Sequence, residues 1–150
     1  MAGLWFEQFR VDQVFEHEIR RTVTEADNVW FCGATYNPAA VHIDAEYCKT
    51  TEFGRPLMNS IFTLGLVIGL SVQETTLGTT VANLGMTDVR FASPVFAGDT
   101  IRAVTTVAEL RESRSRPNAG IVTFVHRGLN QSGEEVVTCR RQALMLKRPA

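Results

Sequence analysis

The sequence predicts an α+β fold: one long apolar helix enclosed by antiparallel strands. Three observations carry that expectation. The run 57-LMNSIFTLGLVIGLSV-72 is apolar on nearly every side, and such a helix has to be buried in a soluble fold. After residue 80 the chain turns to β-branched residues, and its last three segments show period-two alternation, the mark of half-buried strands. The last two joins are short enough for hairpins, which link antiparallel neighbours.

In chain order, 15-FEHEIRRTV-23 reads as a first strand with Phe15, His17, Ile19 and Arg21 on one face. Thr24 followed by EAD is close to a capping box and opens a short helix over 25–33, ending at Gly33. Asp44 is placed to cap the next helix through the N–H groups of Glu46 or Tyr47. Pro56 fits the first position of the buried helix, where its missing N–H is not needed. A Gly/Thr-rich connection, 75-TTLGTT-80, leads to strands over 81–91, 100–113, 120–129 and 135–148. Gly98-Asp99, Pro117-Asn118 and Gln131-Ser132-Gly133 punctuate them. His17 and His126 fall within strand patterns and read as surface or interface residues.

A chain of 150 residues that is 45% hydrophobic supports one buried core and is short for two, so a single domain over 1–150 is expected. A net charge of −1, from 15 basic and 16 acidic residues, supplies no field that favours nucleic acid or an anionic membrane. The long apolar run carries Asn59, Ser60, Thr63 and Ser71 and is too short to span a bilayer. Cys32, Cys48 and Cys139 have no metal-ligand spacing, so no metal is expected, and scattered thiols suit a reducing cytoplasm. The start, MAGLWFEQFR, lacks the basic leader and apolar core of a secretory signal.

Candidate chemistry gathers in 33-GATYNPAAVHIDAEY-47. His42 is the foremost candidate, because an imidazole can donate and accept a proton within one turnover. Asp44 reads as a helix cap first and an acid second. Thr35 and Tyr36 keep their protons at pH 7, which limits them to orienting water or binding a carboxylate or carbonyl. Asn37 fixes the turn before Pro38, with a substrate hydrogen bond as a secondary role. Asn59 and Ser60 lead into the buried helix, whose N-terminus offers N–H groups and positive potential to an oxygen gaining negative charge. Arg111, Arg114 and Arg116, with Arg55, form a basic cluster suited to phosphate.

These segments, taken in order, resemble a MaoC-type dehydratase domain, the hot-dog fold of (R)-specific enoyl-CoA hydratases. The resemblance rests on NP…HID at 37–44 with AEY, FGRPLMNSIFTLGL at 53–66, VRFASPVFAGDTIR at 89–102 and NQSGEEVV at 130–137. More narrowly, RESRSRPNAGIV at 111–122 is similar to the mesaconyl-CoA hydratase branch. It implies a single hot-dog domain and reversible hydration of a trans-2-enoyl-CoA, branched or dicarboxylic in the narrower branch. The coenzyme A thioester would be the substrate, with no further cofactor. In the family an Asp and the His form the hydration pair, and a His-Gly pair opens the central helix. Here the Asp position is Thr35 and the His-Gly pair is Asn59-Ser60, with two extra residues between Asn37 and His42. His42, Asn37 and Thr35 are thus the expected catalytic set. Asn59, Ser60, Tyr36 and Arg55 are the expected substrate contacts, and Arg114 and Arg116 would meet the coenzyme A phosphates. The resemblance also implies a homodimer with sheets joined edge to edge. The alternatives are an acyl-CoA binding protein without turnover, or a thioesterase. The latter needs an acid on the central helix, and residues 57–72 contain none.

Overall fold

The structure, a computed structural model, describes residues 3–149. Its strands are β1 (Val14–Thr22), β2 (Thr80–Arg90), β3 (Thr100–Glu112), β4 (Ala119–Leu129) and β5 (Glu135–Leu146). They make one antiparallel sheet in the order β1-β3-β4-β5-β2. Alternation sets its two faces: Ile101, Ala103, Thr105 and Val107 of β3 are buried, while Arg102, Val104 and Thr106 between them are only half-buried.

On the inner face lies helix α4 (Ser60–Thr75). Val67 and Leu70 pack with Ile101, Ala103, Val136, Val137 and Cys139. The helix comes so close that a Cβ on Gly128 would sit 2.5 Å from Val67 Cγ2, so only glycine admits this approach. A second cluster of Phe6, Phe9, Val107, Val122, Phe124, Ala143 and Met145 continues the core beyond the helix. A sheet wrapped around a long buried helix is the hot-dog arrangement, as expected.

Three local expectations are corrected. Helix α4 does not begin at Pro56, because the segment before it is extended: Leu57 bridges Phe96, and Met58 N–H donates to the Val95 carbonyl. The helix starts only where Asn59 Oδ1 accepts the Ile61 N–H. Nor is α4 covered all round, since Ile61, Gly65 and Gly69 are exposed along one stripe. In β1 the register shifts between Glu16 and Arg20, so His17 points inward while Ile19 is exposed.

A further correction concerns the two strand histidines. His126 is wholly buried and His17 nearly so. They belong to a polar row across the sheet. Arg141 Nε donates to His126 Nε2 at 2.9 Å, Thr105 Oγ1 lies 2.9 Å from His126 Nδ1, and His17 Nε2 is 2.8 Å from the same hydroxyl. His17 Nδ1 reaches Glu74 at the end of α4, and Arg141 Nη1 donates to Asn83 of β2. The hydrogen bonds overcome the usual exclusion of such groups from a core. Burial foremost, then the charge of Arg141, depresses the His126 pKa to about 3, so the ring is neutral.

Candidate active site

The site is built from the first helices and the N-terminus of α4. Thr24 opens α1 (Glu25–Ala34) with the expected capping box: its hydroxyl accepts the Asp27 N–H, and Asp27 accepts the Thr24 N–H. After the Asn-Pro turn comes α2 (Ala40–Ile43), which carries His42, and then α3 (Ala45–Cys48). Asp44 caps α3 by accepting the Tyr47 N–H at 2.9 Å, as the sequence leads one to expect.

His42 Nδ1 is 2.7 Å from the carbonyl oxygen of Leu57. A carbonyl only accepts, so Nδ1 is a donor here, and in the neutral form of the ring the lone pair lies on Nε2. This bond fixes both tautomer and ring orientation. His42 borders two clefts. One, of about 280 Å³, is lined by Phe31, Thr35, Asn37, Asn59, Ser60 and Ile61 as well. The other, of about 260 Å³, includes Glu25, Asn28, Arg55 and Met58. Ser60 also borders a third, mainly apolar cavity of about 260 Å³ formed with Phe53, Leu57, Thr63, Phe91 and Val136 among others.

The structure thus gathers Thr35, Asn37, His42, Asn59 and Ser60 around one cleft, with Arg55 on the far side of His42. Thr35 Oγ1 donates to the Phe31 carbonyl at 2.8 Å, which commits its proton to helix α1. Asn37 Oδ1 accepts the Ala39 N–H and so shapes the turn into α2. Asn59 is buried and its amide is occupied: Oδ1 caps α4, and Nδ2 points to Cys32 Sγ at 3.8 Å. Among the described residues the Ser60 N–H has no protein acceptor, which leaves it facing outward at the positive end of the helix. Arg55 stacks over Phe96, 3.9 Å from the ring centroid, and has no carboxylate partner among the described residues.

Other expected residues stand apart. Tyr36 adopts φ 55° and is 95% exposed. Arg111 lies near the end of β3, and Arg114 and Arg116 lie in the turn that follows. They stand about 40 Å along the strand from the Ala97–Thr100 end that borders the His42 cleft.

Two residues escaped the sequence reading. Asn28 is 98% buried, since only 2% of it is exposed. Its Nδ2 donates to the carbonyls of His42 (2.8 Å) and Leu57 (3.1 Å), while Oδ1 accepts the Asn59 N–H at 2.8 Å. One side chain therefore ties α1 to the His42 turn and to the start of α4. The available signal was its helical spacing: Asn28 and Cys32 are the two buried residues of α1, four apart on one face. Among the described residues Glu25 is the one carboxylate bordering either His42 cleft, and its place in the capping segment concealed it. Among the described residues no cluster of His, Cys, Asp or Glu could hold a metal, and no helix is long and apolar enough to cross a membrane.

The comparisons agree with this architecture. The family model described as MaoC like domain matches residues 6–128. A mesaconyl-CoA hydratase of Cereibacter sphaeroides is 33% identical over 147 residues, which cover 98% of this chain and 42% of that protein. The chain thus spans less than half the length of that relative. An (R)-specific enoyl-CoA hydratase of Aeromonas caviae is 33% identical over 103 residues, 69% of this chain and 70% of that one. Among solved structures, a monoamine oxidase regulatory protein from Archaeoglobus fulgidus superposes with a TM-score of 0.87 at 33% identity, covering 99% of this chain and 98% of the other. Fold, motif order and these likenesses converge: the chain belongs to the MaoC-like dehydratase family.

Proposed function

We propose that the chain catalyses reversible hydration of a trans-2-enoyl-CoA to a 3-hydroxyacyl-CoA, with His42 as its single acid/base. The observation that carries this is the His42–Leu57 hydrogen bond, which leaves Nε2 free beside an unpaired helix N–H. In the hydration direction, the Ser60 N–H would polarise the thioester carbonyl. Nε2 takes a proton from water as the water oxygen adds to the β-carbon, and the electrons collect as an enolate on the thioester oxygen. The imidazolium then returns that proton to the α-carbon from the same face, so water adds syn across the double bond. Thr35 accepts a hydrogen bond from the water without taking its proton.

Hydratases of coenzyme A esters among the relatives support the substrate class. Arg55, uncompensated beside His42, favours an acyl group with its own carboxylate, while the cavity beside Ser60 suits an apolar branch. The partner is a second copy. Strand β2 is a sheet edge exposed along its whole length, with Val81, Leu84, Met86 and Val89 among its exposed apolar residues, and unpaired edges of that length are seldom left open. A single domain working as a dimer in the cytoplasm is the corresponding cellular form.

The test is turnover of His42→Ala and Glu25→Gln on a panel of enoyl-CoA esters with and without a terminal carboxylate. Loss of about 100-fold or more in His42→Ala is expected, with Glu25→Gln near wild type. Unchanged turnover in His42→Ala would remove the proposed base. A large loss in Glu25→Gln would assign water activation to that carboxylate. The second reading, an acyl-CoA binding protein without turnover, is favoured by the committed hydroxyl of Thr35. It predicts calorimetric binding with no hydration of any ester.

A further inference from the structure

We infer that the outer face of the sheet carries a binding site for a phosphomonoester group, formed by Arg20, Arg102, Thr22 and Thr100. Beyond the register shift in β1, Arg20 lies directly opposite Arg102 and Thr22 directly opposite Thr100. Between them Arg21 faces Ile101, which is wholly buried, so the arginine and threonine pairs share the opposite, outward face. Like charges directly across a ladder repel. Neither Arg20 nor Arg102 has a carboxylate within ion-pair distance among the described residues, whereas Arg127 on the same face is matched to Glu135.

These residues line a cleft of about 480 Å³ together with Asn130 and Gln131. Its floor is already fixed. The Thr22 and Thr100 hydroxyls lie 2.7 Å apart, and Gln131 Oε1 accepts the Thr100 N–H at 3.0 Å. The two carboxylates next to the lining residues are hydrogen-bonded to neutral donors and form no ion pair with Arg20 or Arg102. Asp99 accepts from Gln131 Nε2 and from the Phe96 N–H, while Glu134 accepts from Ser93 and from Asn130. Two opposed guanidinium groups beside a threonine hydroxyl complement a tetrahedral dianion. A lone carboxylate would leave one cation unmatched. Phosphomonoesters carry nearly two charges at neutral pH, and the cleft has room for the body of an ester beyond its phosphate.

The ligand can be free phosphate, a small ester, or the 3′-phosphate of coenzyme A, and the arms of one experiment separate them. Thermal unfolding and calorimetry are run on the full chain with inorganic phosphate, coenzyme A and 3′-dephospho-coenzyme A, for wild type, Arg102→Gln and Arg20→Gln/Arg102→Gln. Phosphate should raise the wild-type midpoint and leave that of the double variant unmoved, with at least about tenfold weaker binding in the variant. Without phosphate, the variants should be as stable as wild type or more so, because the repulsion is gone; this shows that they fold. A preference for coenzyme A over its dephospho form that disappears in the double variant assigns the site to the 3′-phosphate. Equal binding of the two, with phosphate still stabilising wild type alone, assigns it to a separate ester or free phosphate. If no phosphate compound distinguishes wild type from the double variant, the site does not exist.

Discussion

Arg141 Nε lies 2.9 Å from His126 Nε2 inside the sheet, so a permanent cation donates into an imidazole that has to remain neutral to accept it. The proton of His126 is thereby confined to Nδ1 and directed at Thr105. The row continues to His17, whose Nε2 meets the same Thr105 hydroxyl and whose Nδ1 meets Glu74. The pattern resembles a hydrolytic triad, but Thr105 is wholly buried, and the row serves to join strands.

Acid should weaken the fold through His126. Its folded pKa is about 3, whereas an unfolded histidine titrates near 6.5. Between those values the unfolded chain binds a proton that the folded chain refuses. Stability is therefore complete above about pH 6.5 and falls with pH below it, by up to about 1.4 kcal/mol per unit. Urea unfolding at pH 7 and pH 5 should show a steeper loss for wild type than for His126→Gln. Equal slopes would mean that the buried ring is not held neutral.

Replacing Asn28 should disturb the His42 ring, although Asn28 bonds only to the His42 main chain. Asn28→Leu leaves the Asn59 N–H without its acceptor and deprives the Leu57 carbonyl of one of its two donors. A cost of about 1–3 kcal/mol in stability is expected. The decisive measurement is the ¹⁵N NMR of the His42 ring, which should show a single Nδ1–H tautomer in wild type and a mixture in the variant. An unchanged tautomer would reduce Asn28 to a purely structural tie.

Gly128→Ala should be destabilising by about 1–3 kcal/mol, because the new Cβ meets Val67 and Val137 in a packed core. Val67→Ala opens the space that the new methyl needs. The double variant should therefore be more stable than the sum of the two changes allows. Additive losses in a double-mutant cycle would show that the sheet, and not the helix, sets the constraint.

Much of the fold was legible because its signals are local. Alternation in 100–113 and 135–148, the Thr24 and Asp44 caps, and the apolar stretch of α4 each follow from a few neighbouring residues. The helix start is not legible locally, because Leu57 and Met58 are apolar in either conformation, and their strand-like bonds go to Phe96 and Val95, far along the chain. The burial of His17 and His126 is hidden for the same reason. A polar residue in a strand pattern reads as outward unless partners on other strands are known, and theirs are Glu74, Thr105 and Arg141. At the site, His42 stood out by residue type, whereas Asn28 acts entirely through backbone groups of distant segments.

The Leu57 carbonyl receives both His42 Nδ1 and Asn28 Nδ2, so a main-chain oxygen determines which imidazole nitrogen is basic. No side-chain substitution can delete it, and an alanine scan would pass over position 57 as a hydrophobic lining residue. Only a backbone edit reaches it. An ester in place of the Leu57–Met58 peptide bond, made by semisynthesis, would weaken the acceptor and with it the identity of the base.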